Sequence, residues 1–264
     1  MASRLALRGV ALLYLSLLLL IPVLMVFYKA FEDGFANAWE TVTTPEALNA
    51  FKLTLITVGI AVPLNTVFGV LCALAIVRRR FRGRGLVNTI VDLPLALSPV
   101  VVGLALVLVY GRNGWFGPTL GDAGIQVIFA LPGMVLATLF VSLPFVVREV
   151  VPVLREIGYE QEQAAATLGA SGWQTFRRVT LPAIRWGIAY GVVLTTARTL
   201  GEFGAVSVVS GHVAGRTNTL TLHVEERFQS FDPVGTYAAS VVLALLAVAT
   251  LLVLNLSRNR EMEE

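Results

Sequence analysis

The chain has 264 residues, of which 56% are hydrophobic and only 14% are charged. Its mean hydropathy of +0.77 excludes the charged surface of an ordinary soluble protein and predicts a protein embedded in a bilayer. The net charge of +3 rests on arginine, because Lys29 and Lys52 are the only lysines. A single cysteine, Cys72, excludes an intrachain disulfide and a cysteine-rich metal site, and no other metal site is predicted.

Apolar windows along the chain predict the number of spans. A bilayer core about 30 Å thick requires about 20 apolar residues per helix. Six windows meet this requirement, at residues 9–28, 51–77, 87–109, 126–147, 187–209 and 236–256. Prolines in or beside them predict kinks, at Pro22, Pro63, Pro94, Pro99, Pro132 and Pro144. We therefore predict an all-α membrane protein with about six transmembrane helices, in a single domain over residues 1–264.

Basic side chains are concentrated in alternate connecting segments. If the N-terminus is cytoplasmic, the inside segments hold 14 lysines and arginines and the outside segments hold 5, with Arg198 left in a span. The positive-inside rule therefore predicts that both termini are cytoplasmic. This topology also explains the basic run from Arg78 to Gly85, so membrane lipid is an expected neighbour and no nucleic-acid partner is predicted.

The predicted cytoplasmic segment 148–186 is polar and carries strong helix signals. Glu160 and Glu162 lie near the start of a helix-favouring run, where acidic side chains complement the helix dipole. Gly169 then ends this helix, as a left-handed C-terminal position commonly requires. Local physics leaves two interpretations open. The segment is either an amphipathic helix pair on the membrane surface or a docking site, where Ala164–Ala166 would be accessible to a partner's backbone.

A second short helix is predicted directly after the first. Ser171 and Gln174 form a Ser-x-x-Gln pattern, in which each side chain can bond the other residue's main-chain N–H group. Pro182 is expected to end this helix just before the fifth span. The segment is therefore predicted to be a helix, a sharp turn and a second helix.

The spacing in this segment resembles the cytoplasmic loop of permease subunits in ABC importers. The family pattern is Glu-Ala-Ala, three residues, Gly, nine residues and Ile-x-Leu-Pro, and the matching positions here are Gln163, Ala164, Ala165, Gly169, Val179, Leu181 and Pro182. Gln163 stands where the family usually has glutamate. By resemblance, the ATPase-coupling residues are Gln163, Ala164, Ala165, Gly169, Ala170, Ser171, Leu181 and Pro182.

Longer segments, including GASGWQTFRRVTLP, resemble the W-type permease family of bacterial sulfate/thiosulfate importers. The resemblance implies a type I ABC importer permease fold in the bacterial inner membrane. It also implies a T-type permease as heterodimer partner, two copies of an ABC ATPase and an external sulfate-binding protein. The chain itself has no P-loop, because no glycine precedes Lys29 or Lys52. It is therefore not expected to be an enzyme, and ATP and magnesium would be bound by the ATPase.

Three charged residues fall in the interior of predicted spans, away from their ends: Asp92, Arg198 and Glu202. Charges at this depth cost about 2.5–3.5 kcal/mol each on insertion scales and are candidates for function. Arg198 and Glu202 are four residues apart and can neutralise each other. Either they are a structural pair, or they line the translocation path together with Gly201 and Gly204.

Other function classes remain as alternatives. A molybdate or tungstate permease shares the Gly-Glu-Phe-Gly element, and an ion-coupled secondary anion transporter could use Arg198 and Glu202 as its relay. An integral membrane enzyme would need a clustered polar site, and the sequence contains no Gly-x-Ser-x-Gly motif. His212 and His223 have no metal-binding spacing and are interpreted as surface histidines.

Overall fold

The computed structural model describes the backbone of residues 2–259 and the side chains of residues 7–252. Within these ranges the regular elements are all helical. They are α1 (Ala2–Leu15), α2 (Ile21–Phe31), α3 (Phe35–Val42), α4 (Pro45–Arg78), α5 (Arg84–Ala96), α6 (Pro99–Tyr110), α7 (Gly117–Asp122), α8 (Leu131–Glu156), α9 (Glu160–Thr167), α10 (Gly172–Thr175), α11 (Leu181–Ala183), α12 (Arg185–Leu200), α13 (Gly204–Val209), α14 (Leu220–Gln229) and α15 (Pro233–Asn259). Two π-helical segments, Ser16–Leu20 and Phe176–Thr180, join α1 to α2 and α10 to α11.

Four helices in the described range are long and apolar enough to cross a membrane unbroken: Leu7–Phe31, Pro45–Arg78, Leu131–Glu156 and Pro233–Leu252. Two pairs of helices joined at a bend also have the length and composition of a span: α5 with α6, and the segment Gly172–Ala183 with α12. The count is therefore 4, or up to 6 if each bent pair is one span, which agrees with the prediction of about six spans in an all-α fold. Arg260, which the topology argument also used, lies outside the described residues.

The third predicted span, 87–109, is wrong as a continuous helix. A bend of 112° separates α5 from α6. Leu97 and Ser98 are both extended, with ψ of 140° and 134°. Ser98 directly precedes Pro99, and a residue in that position avoids the helical region. Pro63 and Pro144, by contrast, lie inside the continuous helices α4 and α8. The kink predicted at Pro99 is thus a complete break.

The fifth predicted span, 187–209, is also divided. Its helix α12 ends at Leu200, and Gly201–Phe203 separates it from α13. At its start, a 66° bend follows α11. The prediction that Pro182 ends the preceding helix is wrong, because Pro182 lies in the first turn of α11 and the helix continues to Ala183. A proline is tolerated in a first turn because its missing N–H group has no helical partner there.

The fourth predicted span, 126–147, is displaced along the chain. Helix α8 begins only at Leu131 and continues to Glu156, so it includes the first part of the predicted loop 148–186. Glu149, Arg155 and Glu156 therefore lie on a helix that extends past the apolar window rather than in a loop.

Helix α8 forms the centre of the fold and packs against both α4 and α12. Its Val146 is fully buried between two glycines. A Cβ atom added at Gly69 of α4 would lie 2.7 Å from the Val146 Cβ, and one added at Gly191 of α12 would lie 2.8 Å from the Val146 Cα. The buried Asn65 of α4 also donates a 2.8 Å hydrogen bond to Ser142 of α8. Small residues and a polar contact therefore join the three helices, as is common in membranes.

Substitution of Gly191 by alanine tests this packing. The added methyl group meets backbone of α8, which cannot turn aside as a side chain can, so we expect a loss of about 1–3 kcal/mol of stability. Thermal unfolding of the purified protein in detergent measures the effect. Gly59→Ala is the matched control, because nothing lies within 4 Å of a Cβ at Gly59. Equal melting temperatures for the two variants would contradict the packing role.

Candidate functional site

The predicted cytoplasmic segment begins with α9 and a left-handed turn. Gly169 has a φ of +84°. Its N–H donates to the carbonyl of Ala166 at 3.0 Å, and the N–H of Ala170 donates to the carbonyl of Ala165 at 3.0 Å. This pair of bonds is the Schellman motif. Nothing lies within 4 Å of a Cβ at Gly169, so glycine is required here for its backbone conformation and not for space.

The second helix begins with the predicted capping box. The N–H of Ser171 donates to the Gln174 Oε1 at 2.8 Å, and the N–H of Gln174 donates to the Ser171 Oγ at 3.4 Å. Only one residue, Ala170, separates this cap from the turn at Gly169. The angle between α9 and α10 is therefore set by hydrogen bonds on both sides of the turn. The prediction of two helices joined by a sharp turn is confirmed.

We call the outward surface of this helix pair the docking face. It consists of four exposed residues, Gln163, Ala164, Leu168 and Trp173. Leu168 is 88% exposed and Trp173 is 68% exposed, so two large apolar side chains lie uncovered on this short helix pair. The remaining predicted coupling residues flank this face: Gly169, Ser171 and Pro182 are exposed, and Ala165, Ala170 and Leu181 are half-buried.

The inward surface of α9 carries a network that the sequence did not predict, and we call it the brace. It consists of Arg78, Tyr159, Glu162 and Thr180. The Arg78 Nε lies 3.1 Å and 3.0 Å from the two carboxylate oxygens of Glu162. Thr180 donates a 2.8 Å hydrogen bond to the same carboxylate, and the Arg78 guanidinium lies 4.5 Å from the centre of the Tyr159 ring.

The predicted pair of charges in the fifth span does form. The Arg198 Nη1 lies 2.7 Å from the Glu202 Oε2. Glu202 follows the end of α12, so the pair does not lie within one continuous helix as predicted. The other carboxylate oxygen of Glu202 accepts a 2.9 Å hydrogen bond from the N–H of Ala205 and so caps α13. Glu202 is 3% exposed, and the Arg198 side chain is 32% exposed.

Gly201 and Gly204 differ in their surroundings. A Cβ at Gly204 would lie 2.9 Å from the Pro99 Cβ, so this glycine allows the starts of α13 and α6 to touch. Gly201 is exposed and meets no close neighbour. The four predicted path residues thus lie together at one chain break, with Arg198 and Gly201 partly accessible and Glu202 buried beneath them.

The third charge within a predicted span is paired over a long sequence distance. Asp92 of α5 accepts a 2.6 Å hydrogen bond from the Arg148 Nε and a second bond from the Arg148 Nη2. The two side chains are each 37% exposed. This bidentate pair joins α5 to α8, and a separation of 56 residues hides it from any local sequence pattern.

The two histidines have different surroundings. His212 is exposed, as predicted, and its φ is +48°. The prediction of a surface position is wrong for His223, which is 2% exposed on α14. Burial lowers the pKa of His223 below its ordinary value, and the neighbouring Arg227 lowers it further. Its neutral form is therefore favoured in the folded protein.

Comparison with known families decides what kind of protein carries this arrangement. The profile of the family described as "Binding-protein-dependent transport system inner membrane component" matches residues 65–260, which include the docking face and the paired charges. The chain belongs to this family. It is thus a multi-pass inner membrane component of a binding-protein-dependent transport system.

Several named members of this permease family are closely similar to the chain. The sulfate transport system permease protein CysW of Synechococcus elongatus is 53% identical, over 94% of this chain and 86% of that protein. The CysW protein of Escherichia coli K12 is 49% identical, over 92% of this chain and 84% of that protein. The CysT permease of the same E. coli strain is 41% identical, over 89% of this chain and 86% of its own length.

A solved structure supports the fold of this permease. The bacterial ABC transporter that imports the acidic polysaccharide alginate contains a chain that superposes with a TM-score of 0.81. The match covers 97% of this chain and 94% of that chain, at 22% sequence identity. At that identity the likeness shows the ABC importer permease fold alone.

Proposed function

We propose that this chain is the translocating subunit of an ATP-driven importer of sulfate. The observation that carries the proposal is its 53% and 49% identity, over more than nine-tenths of its length, to proteins named sulfate transport system permeases. Thiosulfate belongs to the same substrate class. Molybdate and tungstate remain the alternative oxyanions, because the Gly201–Gly204 element does not choose among them.

We further propose that the chain pairs with a second, related permease. E. coli K12 has both a CysW and a CysT protein, and this chain is 49% identical to the first and 41% identical to the second. The difference favours the W-type position for this chain and leaves the T-type position for its partner. The two permeases would then assemble with two ATPase subunits, which bind ATP and magnesium, and with an external sulfate-binding protein.

In this proposal the docking face contacts the ATPase. Its small and apolar exposed residues fit a protein partner better than water. A position flat on the membrane surface fits less well, because the sequence of α9 is only weakly amphipathic. The polar Gln163 and the small Ala164 are also exposed near Leu168, where a lipid-binding face would need further large apolar side chains. Since Gln163 carries no charge, contact at this position would depend on shape and hydrogen bonding.

The translocation path is proposed to pass the break beside Arg198. The start of α6, at Pro99, lies against Gly204, and the N-terminus of a twelve-residue helix carries partial positive charge. Arg198 adds a partly exposed guanidinium on the same chain break. Glu202 balances this charge and would prevent a dianion from being held too tightly.

Uptake by the assembled transporter tests the substrate. Proteoliposomes containing the chain with its partner permease, ATPase and binding protein are expected to accumulate radiolabelled sulfate only when ATP is supplied. Unlabelled thiosulfate should compete, and molybdate should compete weakly. Preferential uptake of molybdate, or uptake that continues without ATP, would contradict the proposal.

Substitution of Gly169 tests the coupling loop. Gly169→Asp forces a side chain into the left-handed region, opens the Schellman motif and should lower uptake by about tenfold or more. The protein should still insert in the membrane. Gly85→Ala is the control, because Gly85 also faces open space and does not have a positive φ. Normal uptake and ATPase binding by Gly169→Asp would show that the loop is not the coupling element.

A pair of substitutions separates the two interpretations of Arg198. Arg198→Gln alone leaves Glu202 buried without its counter-ion and should impair uptake in either case. The double variant Arg198→Gln/Glu202→Gln removes both charges. If Arg198 attracts the anion, the KM for transport should stay raised in the double variant. Recovery of the wild-type KM would instead identify a structural pair.

A further inference from the structure

The docking-face helix α9 has three attachments to the membrane spans. Two of these are covalent: residues 157–159 connect α9 to α8, and α10 and α11 connect it to α12. The third is the brace, which reaches α4 across a sequence separation of 84 residues. The helical backbones of α4 and α9 scarcely approach each other elsewhere. A cleft of about 570 Å³ lies between them, lined by Leu71 and Arg79 on one side and by Ala166 on the other.

Arg78 is the centre of this third attachment. Besides its contact with Glu162, its Nη1 donates a 3.0 Å hydrogen bond to the carbonyl of Leu154, near the end of α8. Tyr159 donates a 2.6 Å hydrogen bond to the carbonyl of Val77, near the end of α4. The Arg78 side chain is 11% exposed and that of Glu162 is 21% exposed. One arginine thus joins the cytoplasmic ends of α4, α8 and α9.

We infer that Arg78 and Glu162 are positioning residues that transmit the movement of the docking face to α4. The inference rests on the proposed function, because it requires an ATPase that moves the docking face. Without the brace, the cleft would allow α9 to move relative to α4 while its covalent connections stayed intact. With it, α4 is tied to α9 and the preceding Tyr159 by the Arg78–Glu162 ion pair, by the contact of Arg78 with the Tyr159 ring and by the hydrogen bond from Tyr159 to the carbonyl of Val77.

The chemistry of the network favours a fixed connection over a loose surface contact. Both oxygens of Glu162 are close to Arg78, and the buried Thr180 orients the carboxylate from the other side. The Arg78 side chain is only 11% exposed and pairs with Glu162, so the loss of that carboxylate would leave the guanidinium enclosed without this counter-ion. Ion pairs this well enclosed are screened less by salt than exposed pairs are.

The brace also explains why adjacent residues of α9 have separate roles. Glu162 points inward to α4, whereas Gln163 is exposed on the docking face. Glu162 precedes the position where the family usually has glutamate. Its carboxylate is paired with Arg78 within this chain and is therefore not available to a partner. Glu162 and the uncharged Gln163 are separated by about 100° around the helix, so the carboxylate and the docking-face position lie in different directions.

Neutralising and exchanging the two charges tests the inference in the full transporter. The variants are Glu162→Gln, Arg78→Gln and the exchange Arg78→Glu/Glu162→Arg, reconstituted with the partner permease, ATPase and binding protein. Three quantities are measured: the ATPase that co-purifies, the rate of ATP hydrolysis and the sulfate transported per ATP. Glu160→Gln and Arg80→Gln are matched controls, since both side chains are exposed neighbours of the brace.

In the single variants, ATPase binding and hydrolysis should stay within about twofold of wild type. Sulfate transported per ATP should fall by about tenfold. The exchange variant should recover most of this loss, and the controls should resemble wild type. The inference is overturned if transport per ATP is unchanged in Glu162→Gln. It is equally overturned if uptake and hydrolysis fall in proportion, or if the exchange variant binds the ATPase normally without recovering the transport ratio.

A distance measurement separates this inference from the substrate proposal. Spin labels at Leu71→Cys on α4 and Thr167→Cys on α9, in a Cys72→Ser background, report the separation of the two helices. We expect one narrow distance with and without ATP, and a broadened distance with ATP once Glu162→Gln is added. This readout requires no sulfate. If wild type fails to transport sulfate but shows this Glu162-dependent distance, the substrate proposal fails and the brace stands. Identical distances in both proteins overturn the brace.

Discussion

Close packing of α4 and α12 on Val146 of α8 is the constraint on which the rest of the structure depends. Lipid tails are as apolar as the side chains of the spans, so hydrophobic burial gives these helices little reason to associate. Contact between backbones replaces it, and Gly69 and Gly191 allow that contact. The fully buried Val146, Val147 and Val150 continue the same interface towards the Glu156 end of α8. The helices that meet there are the ones from which the docking face extends.

The loop that carries α9 and α10 has a defined shape because hydrogen bonds hold its turn and an ion pair holds its inward side. Hydrogen bonds at Gly169 and Ser171 set the angle between its helices, and the ion pair of Glu162 with Arg78 sets its position over α4. Neither contribution requires a partner protein. The outward face is therefore organised before any ATPase binds, which reduces the conformational entropy that binding would cost.

Local patterns were sufficient to predict much of this protein. Apolar windows indicated the number of spans, and the spacing around Gly169 and Ser171 indicated both the short helices and their turn. The ion pair of Arg198 with Glu202 was also predictable, because its partners are one helical turn apart. Each of these features depends on residues that are close in sequence, and the resemblance to importer permeases depended on the same spacing.

Features that depend on distant contacts were not predictable in this way. Pro99 breaks a span whereas Pro63 and Pro144 do not, since the surrounding helices decide whether the freed backbone groups find partners. The pairing of Asp92 with Arg148 and of Arg78 with Glu162 crosses 56 and 84 residues. Burial of His223 likewise arises from the helices around α14 and has no signature in its immediate neighbours.

Two breaks in the helical chain, one before Pro99 and one before Gly204, give one region of the bundle a permanent chemical character. The break before Pro99 and the break before Gly204 touch, so the first turns of two helices begin side by side. First turns leave main-chain N–H groups without helical partners. Every residue except proline has a main-chain N–H group, so a point mutation that changes a side chain seldom removes this group. The polarity of this region therefore follows from the path of the backbone. Side chains such as Arg198 are the part of it that mutation can readily change.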